Sequence, residues 1–197
     1  KPQLGETIVV YGLGLIGLIC CQLLKQNGCN VIGIDLDPNK CNLANRWSIQ
    51  AINPNINHPV NSVMDYTDAV GADGVLITAS TQSKDVIANA AKMSRKKGRI
   101  VLVGVAGLDI DRRDFYEKEL TFQVSCSYGP GRYDEDYEQK GIDYPIAYVR
   151  WTEKRNFQTI LNSIKTKNLN VKDLITNRVS LSKYDQIYNN INSKESI

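Results

Sequence analysis

The sequence predicts an α/β fold, a doubly wound six-stranded parallel sheet with helices on both faces, and three observations carry that expectation. Short apolar strand signals recur at Thr7 to Tyr11, Asn30 to Asp35, Ala51 to Asn53, Gly74 to Thr78, Arg99 to Val103 and Leu120 to Cys126. Stretches with helical spacing separate them, the alternation that builds parallel sheets, and right-handed crossovers then place helices on both faces. The run Gly12-Leu13-Gly14-Leu15-Ile16-Gly17 directly follows the first strand, and a carboxylate, Asp35, closes the second.

That first strand, turn and helix read as a dinucleotide-binding βαβ unit. Gly12 permits the tight strand-to-helix turn and Gly14 lets a pyrophosphate approach the backbone. Gly17 lets the helix from about Leu15 to Asn27 lie close on the sheet. The helix N-terminus presents unpaired N–H groups and the positive end of its dipole, worth about 0.3–1 kcal/mol per favourable charge at exposed sites. Glycine-rich turns are common, so the motif gains its meaning from context: a strand before it, a helix after it, and an acid about 20 residues on.

Ile8 to Leu24 is almost uninterrupted apolar sequence behind Lys1 and resembles a signal peptide or a short membrane span. A helix of about 17 residues reaches only about 25 Å against a hydrocarbon core of about 30 Å. Three phased glycines suit a phosphate turn better than a lipid-facing helix. The run therefore reads as a buried parallel strand followed by a buried helix face.

Further along, Pro38 to Trp47 reads as a helix with proline at a first-turn position. Asn53 to Thr67 is rich in asparagine and proline, shows no clear element, and reads as a connecting loop. It carries the only histidine, His58; a catalytic acid or base was weighed against a solvated loop residue, and no role is assigned to it. Ser83 to Ser94 has helical apolar spacing. Arg95-Lys96-Lys97, the densest basic cluster, reads as solvating the C-terminus of that helix.

After the sixth strand, Ser127 to Asn156 holds Tyr128, Tyr133, Tyr137, Tyr144, Tyr148 and Trp151 among glycines, prolines and charges. Two readings stand for it: a substrate-side or partner-docking loop, and an ordered surface connection. A helix from Gln158 to Lys167 follows, then Val171 to Ile175 and a last amphipathic segment from Ser182 to Ile191.

With 197 residues, 42% hydrophobic and 23% charged, the chain buries one good core and lacks the marks of disorder. A net charge of +3 with scattered basic residues speaks against a nucleic-acid footprint. The cysteines Cys20, Cys21, Cys29, Cys41 and Cys126 include no C-x-x-C pair and no histidine at metal-ligand spacing, so no zinc site is visible. Their odd number fits reduced thiols and a cytoplasmic protein.

The order of these motifs resembles the cofactor-binding domain of the medium-chain dehydrogenase/reductase superfamily, the zinc-type alcohol dehydrogenases, over nearly the whole chain. The resemblance implies a Rossmann-type fold in which Gly12, Leu13, Gly14 and Gly17 form the pyrophosphate turn, with the backbone of Leu15 and Ile16 pointing at the phosphates. It implies that Asp35, with Leu36, binds the adenosine ribose hydroxyls and that Lys40 lies near that ribose. Thr78, Ala79 and Ser80 would follow the adenosine side. Val103, Gly104 and Val105 would lie beside the nicotinamide carboxamide, with Ser125, Cys126 and Ser127 on its second flank. The tyrosine-rich segment looks more specifically like the dehydrogenase half of two-part bacterial oxidoreductases that carry a glucose-fructose oxidoreductase-like domain. Those proteins are often encoded in surface-polysaccharide gene clusters, which implies a sugar or sugar derivative as substrate.

The sequence departs from the family in that its first strand begins within a few residues of Lys1, leaving no room for the GroES-like catalytic domain with its zinc ligands and proton relay. The expectation is an excised domain: residues 1–168 as the NAD-binding unit, and residues 169–197 leading back toward a catalytic domain absent from this chain. The implied reaction of the whole enzyme is hydride transfer between a substrate C–OH and the nicotinamide. NAD is favoured over NADP, because a carboxylate at Asp35 suits ribose hydroxyls and repels a 2′-phosphate, and no arginine closely follows it. Asp35 also suits a second role, capping the turn at Asp37-Pro38. Zinc, if used, would belong to the catalytic domain.

Other classes fit less well. A short-chain dehydrogenase needs a Tyr-x-x-x-Lys pair, and none of the ten tyrosines has lysine four residues later. Lactate-type enzymes use a histidine better supported than His58. A methyltransferase remains a distant reading, and a non-catalytic NAD-binding sensor or regulatory module is the alternative from another class. No membrane or nucleic-acid partner is expected; a homodimer through the edge of the sheet is.

Overall fold

The computed structural model of the protein describes residues 1–189. Six strands, β1 (Thr7–Tyr11), β2 (Asn30–Ile34), β3 (Gln50–Ile52), β4 (Ala72–Ile77), β5 (Ser94–Leu102) and β6 (Thr121–Val124), form one sheet. Their order is β3-β2-β1-β4-β5-β6. Every pairing is parallel, as expected; Val9, for example, sits between Ile32 and Val75.

Two apolar cores follow from the period of two along each strand. Ile8 and Val10 point to one face, where α1 (Leu15–Gln26) and α2 (Pro38–Arg46) contribute Leu18, Cys21, Leu24, Cys41 and Leu43. Val9 points to the other, where α3 (Pro59–Tyr66) contributes Val63 and α4 (Asp85–Met93) contributes Val86, Ile87, Ala90 and Met93. The chain changes faces between β3 and β4, so the strand order reverses at β1 and β4. Their carboxyl ends open the crevice in which open parallel sheets hold ligands.

Local chemistry explains several boundaries. Pro38 opens α2 behind Asp37, whose carboxylate accepts the backbone N–H of Asn39 at 2.8 Å. The expected loop from Asn53 to Thr67 is corrected: its second half is α3, which starts at Pro59, also a first-turn proline. The basic cluster is corrected too. Arg95, Lys96 and Lys97 lie in an irregularity of β5, whose pairing with β4 moves from Ala72–Ser94 to Gly74–Arg99. There Arg95 pairs with Asp73 at 2.6 Å and Lys97 with Glu119 at 3.6 Å. The carbonyls at the end of α4 are instead met by Lys118, whose Nζ donates to Ala91, Lys92 and Ser94 at 3.1, 2.6 and 2.8 Å. Burial pushes the Lys118 ammonium down from its usual range, with the charge of Asp114 opposing it.

The segment after β6 is an ordered structure. The Tyr137 ring stacks on Tyr144 at 5.9 Å and meets Tyr128 at 6.2 Å. Arg132 pairs with Glu138 at 2.5 Å and Arg155 with Asp143 at 3.2 Å. Short α5 (Arg112–Tyr116) and α6 (Glu135–Glu138) have no counterpart in the expected elements. The next helix, α7 (Glu153–Lys165), begins five residues before the expected Gln158. Of the last amphipathic segment, a 3₁₀ turn at Leu181–Lys183 and α8 (Tyr184–Tyr188) are present, and Ile191 lies outside the described residues. Among the described residues no helix is long and apolar enough to cross a membrane. Nor does any group of three His, Cys, Asp or Glu among them form a set that could hold a metal ion.

Candidate functional site

At the switch point the three glycines divide the labour. Gly12 has φ +105°, and a Cβ there would meet Ala79 N at 2.5 Å, so both its conformation and its close approach to the β4 turn require glycine. A Cβ on Gly17 would fall 1.9 Å from the Gly12 carbonyl oxygen and 2.8 Å from Thr78 Oγ1, which is the close helix–sheet packing expected of it. Gly14 differs, because a Cβ there would meet nothing within 4 Å. Its backbone faces open space at the mouth of α1. That helix has no side-chain cap and no acid in its first turn, so its leading N–H groups and dipole are free to take an anion.

Asp35 stands across from this turn, just past the end of β2. Its Oδ2 accepts the Leu13 N–H at 2.7 Å and its Oδ1 accepts the Asp37 N–H at 2.8 Å. Each oxygen keeps further acceptor capacity, enough for the two vicinal hydroxyls of a ribose. The turn-capping role at Asp37 and the site role therefore coexist in one side chain. Beneath it, Cys41 Sγ donates to the Asp35 carbonyl at 3.3 Å, and burial, with the Asp35 charge adding to it, pushes the Cys41 thiol up.

A cleft of about 690 Å³ joins these groups. It brings together Gly12, Gly14, Asp35, Leu36, Lys40, Thr78, Ala79 and Ser80 from the residues singled out by the sequence. The Thr78 hydroxyl is committed elsewhere, donating to the Gly12 carbonyl at 2.6 Å and so stitching the end of β4 to the glycine turn. Leu13 is corrected as a lining residue. Its side chain is fully buried over Gly33, and its N–H is held by Asp35. Leu15 and Ile16 sit in the first turn of α1 with exposed side chains.

Val103, Gly104 and Val105 do not line this cleft; they continue the same edge of the sheet. Their turn is locked to the β4 turn, with Thr81 N–H donating to the Val105 carbonyl at 2.8 Å and a Gly104 Cβ excluded by Ala79 O at 2.1 Å. Ser125, Cys126 and Ser127 occupy the following turn, where Ser125 N–H donates to Leu102 O at 2.8 Å and all three are exposed. The three turns thus form a continuous ledge from the cleft to the tyrosine-rich segment.

Sequence reasoning missed the far wall of the cleft. Pro54, His58 and Pro59 come from the start of α3, and Ser83, Asp85, Val86 and Asn89 from the start of α4. The available signal was Pro59 ahead of Val60, Val63 and Met64, a first-turn proline with helical spacing obscured by the asparagine-rich run before it. At the base of the wall burial pushes the Tyr11 phenol up, a hydrogen bond from Asn89 opposes that, and the Asp85 charge adds to it. An open phosphate-facing turn, a fixed carboxylate and a cleft of this volume fit a dinucleotide.

The pattern of a family described as zinc-binding dehydrogenase matches residues 16–143. D-guloside 3-dehydrogenase of Escherichia coli is 28% identical over 194 residues, covering 94% of this chain and 51% of that protein. Sorbitol dehydrogenase of Halalkalibacterium halodurans is 28% identical over 201 residues, covering 98% and 50%. Among solved structures, 2R,3R-butanediol dehydrogenase of Bacillus subtilis superposes with a TM-score of 0.77 at 20% identity, covering 100% of this chain and 50% of that one. A zinc-binding dehydrogenase of Sinorhizobium meliloti, solved with NADP bound, gives 0.73 at 18% identity, covering 95% and 49%. The chain spans about half the length of the relatives it matches.

Proposed function

Because the chain belongs to the zinc-binding dehydrogenase family, its match running from residue 16 to 143, we propose that it is the NAD-binding half of an alcohol or sugar dehydrogenase. In this reading residues 1–168 hold the dinucleotide and residues 169–197 lead toward the part of the enzyme that carries the substrate-side groups, zinc included where it is used. Asp35 carries the proposal: an oriented carboxylate beside the phosphate-facing turn, with acceptor capacity to spare.

The chain's own contribution is binding and orientation. The Gly14 turn and the first N–H groups of α1 take the pyrophosphate, Asp35 takes the ribose hydroxyls, and Lys40 adds positive charge on the same side. The ledge of Val103 to Val105 and Ser125 to Ser127 supports the nicotinamide end. When bound, the cofactor supplies the hydride chemistry with a substrate C–OH. NAD is preferred over NADP, because a fixed carboxylate repels a 2′-phosphate. Calorimetric titration of the 197-residue chain should give measurable NAD binding and weaker NADP binding. Tighter binding of NADP would overturn the role of Asp35, and binding of neither would overturn the proposal.

A sugar or sugar alcohol is the proposed substrate class, supported by D-guloside 3-dehydrogenase and sorbitol dehydrogenase among the relatives. The likeness of the tyrosine-rich segment to two-part oxidoreductases of surface-polysaccharide synthesis supports the same class. The free cysteines support a cytoplasmic setting. β6 is the edge strand, with Val124 exposed, and pairing of two copies along it is the proposed dimer contact. Sedimentation of the chain as a strict monomer at high concentration would rule that contact out.

A further inference from the structure

The cleft does not end at Asp35. Beyond the ribose position it continues between the start of α3 and the start of α4, and that continuation is where the base of a dinucleotide must go if its pyrophosphate sits on the Gly14 turn. The inference therefore rests on the function proposed above and adds the chemistry by which the base is read.

The two sides of this extension differ. Pro54, His58 and Pro59 form one wall, two of the three rigid and without a donor N–H. The α4 side carries Asp85 and Asn89, with Tyr11 at the end of β1 between them. Asn89 hydrogen-bonds the Tyr11 hydroxyl, which fixes both groups. Asp85 is held at its backbone, its N–H donating to Ser83 Oγ at 3.2 Å, while Ser83 Oγ reaches Asp85 Oδ2 at 3.4 Å. That leaves Asp85 Oδ1 with acceptor capacity on the cleft side of α4. A carboxylate is an acceptor only. A purine with a 6-amino group offers it a donor, whereas a 6-oxo purine offers a second acceptor and an unfavourable contact.

We propose that Asp85, supported by Tyr11 and Asn89, reads the exocyclic amine of adenine and makes the site selective for 6-amino over 6-oxo purine dinucleotides. Asp35 and Asp85 then divide the recognition of one ligand, the first testing the ribose and the second the base. Both do so as fixed acceptors at the ends of a single cleft.

The test compares NAD with nicotinamide hypoxanthine dinucleotide, which differs from it only at the 6-position, by calorimetric titration of the 197-residue chain. The hypoxanthine analogue should bind about tenfold more weakly to the wild type, the loss of one charge-assisted hydrogen bond. Asp85→Asn presents an amide that can turn either its oxygen or its N–H₂ to the base, and should bring the two dinucleotides to within about twofold. Tyr11→Phe, which keeps the ring in the core, should reduce the discrimination without abolishing it. Equal binding of the two dinucleotides by the wild type, or an unchanged ratio in a folded Asp85→Asn, overturns the inference and leaves the proposed function standing. Failure of either dinucleotide to bind overturns both.

Discussion

The Asp35 carboxylate accepts the Leu13 backbone N–H at 2.7 Å, so the acid beyond β2 is tied directly to the glycine turn beyond β1. The two halves of the nucleotide signature, 22 residues apart, are one hydrogen-bonded unit before any ligand arrives. That coupling means that a change at Asp35 acts on the fold as well as on the ligand.

Asp35→Ala should therefore lose stability and selectivity together. Two backbone donors, Leu13 and Asp37, lose their partner, at a cost of about 1–3 kcal/mol. Asp35→Asn keeps one acceptor oxygen and should lose less. Urea unfolding of the three proteins gives the stabilities, and paired NAD and NADP titrations give the preference, which should narrow in both variants. An NAD to NADP ratio that stays constant would mean that the acid does not read the ribose.

Gly14→Ala and Gly17→Ala should separate ligand binding from folding. Gly14 has φ −67°, which alanine adopts freely, and an added Cβ meets no protein atom within 4 Å. The variant should unfold at the wild-type urea midpoint yet bind NAD about tenfold more weakly, because the methyl group occupies the approach of the pyrophosphate. Gly17→Ala places its methyl 1.9 Å from the Gly12 carbonyl oxygen and should cost about 1–3 kcal/mol of stability. Unimpaired NAD binding by Gly14→Ala would place the phosphates elsewhere.

Acid should weaken the fold in part through Glu6. Arg99 donates to both oxygens of Glu6, Nη1 to Oε1 at 2.9 Å and Nη2 to Oε2, joining the segment before β1 to β5. The Arg99 hydrogen bond holds the Glu6 carboxyl below its ordinary value of 4.5, outweighing the opposing effect of burial. A depressed carboxylate stabilises the fold above its unfolded value, and that contribution is lost as pH falls through the folded one. Glu6→Gln should be less stable than wild type by about 1–3 kcal/mol at pH 7. The gap should close as pH drops below about 4.5. A gap of the same size at pH 3 would show that the charge of Glu6 contributes nothing.

How far the sequence spoke for itself depends on how local the physics is. β1 at Thr7–Tyr11 and the start of α1 at Leu15 stand where they were expected, because a β-branched run ending in glycine encodes its own turn. Pro38 marked the start of α2 for the same reason, since a first-turn proline needs no distant partner. The same signal at Pro59 went unread behind Asn53-Pro54-Asn55, and with it went one wall of the cleft. The α4 wall was hidden differently. Its helix was expected, but nothing in Asp85 or Asn89 as residues says that they face the start of α3.

By itself the sequence determined the parallel α/β fold, the glycine turn and the acid paired with it, since strand period, φ > 0 at Gly12 and capping are properties of a few neighbouring residues. Only the tertiary structure decided what shares a cavity. The sheet order β3-β2-β1-β4-β5-β6 sets the carboxyl ends of β1, β2 and β4 side by side, and so brings Gly14, Asp35, His58 and Asp85 to one cleft from four separate stretches of chain. It also removes Leu13 from that cleft, because a leucine over Gly33 gains more from burial than from facing a nucleotide.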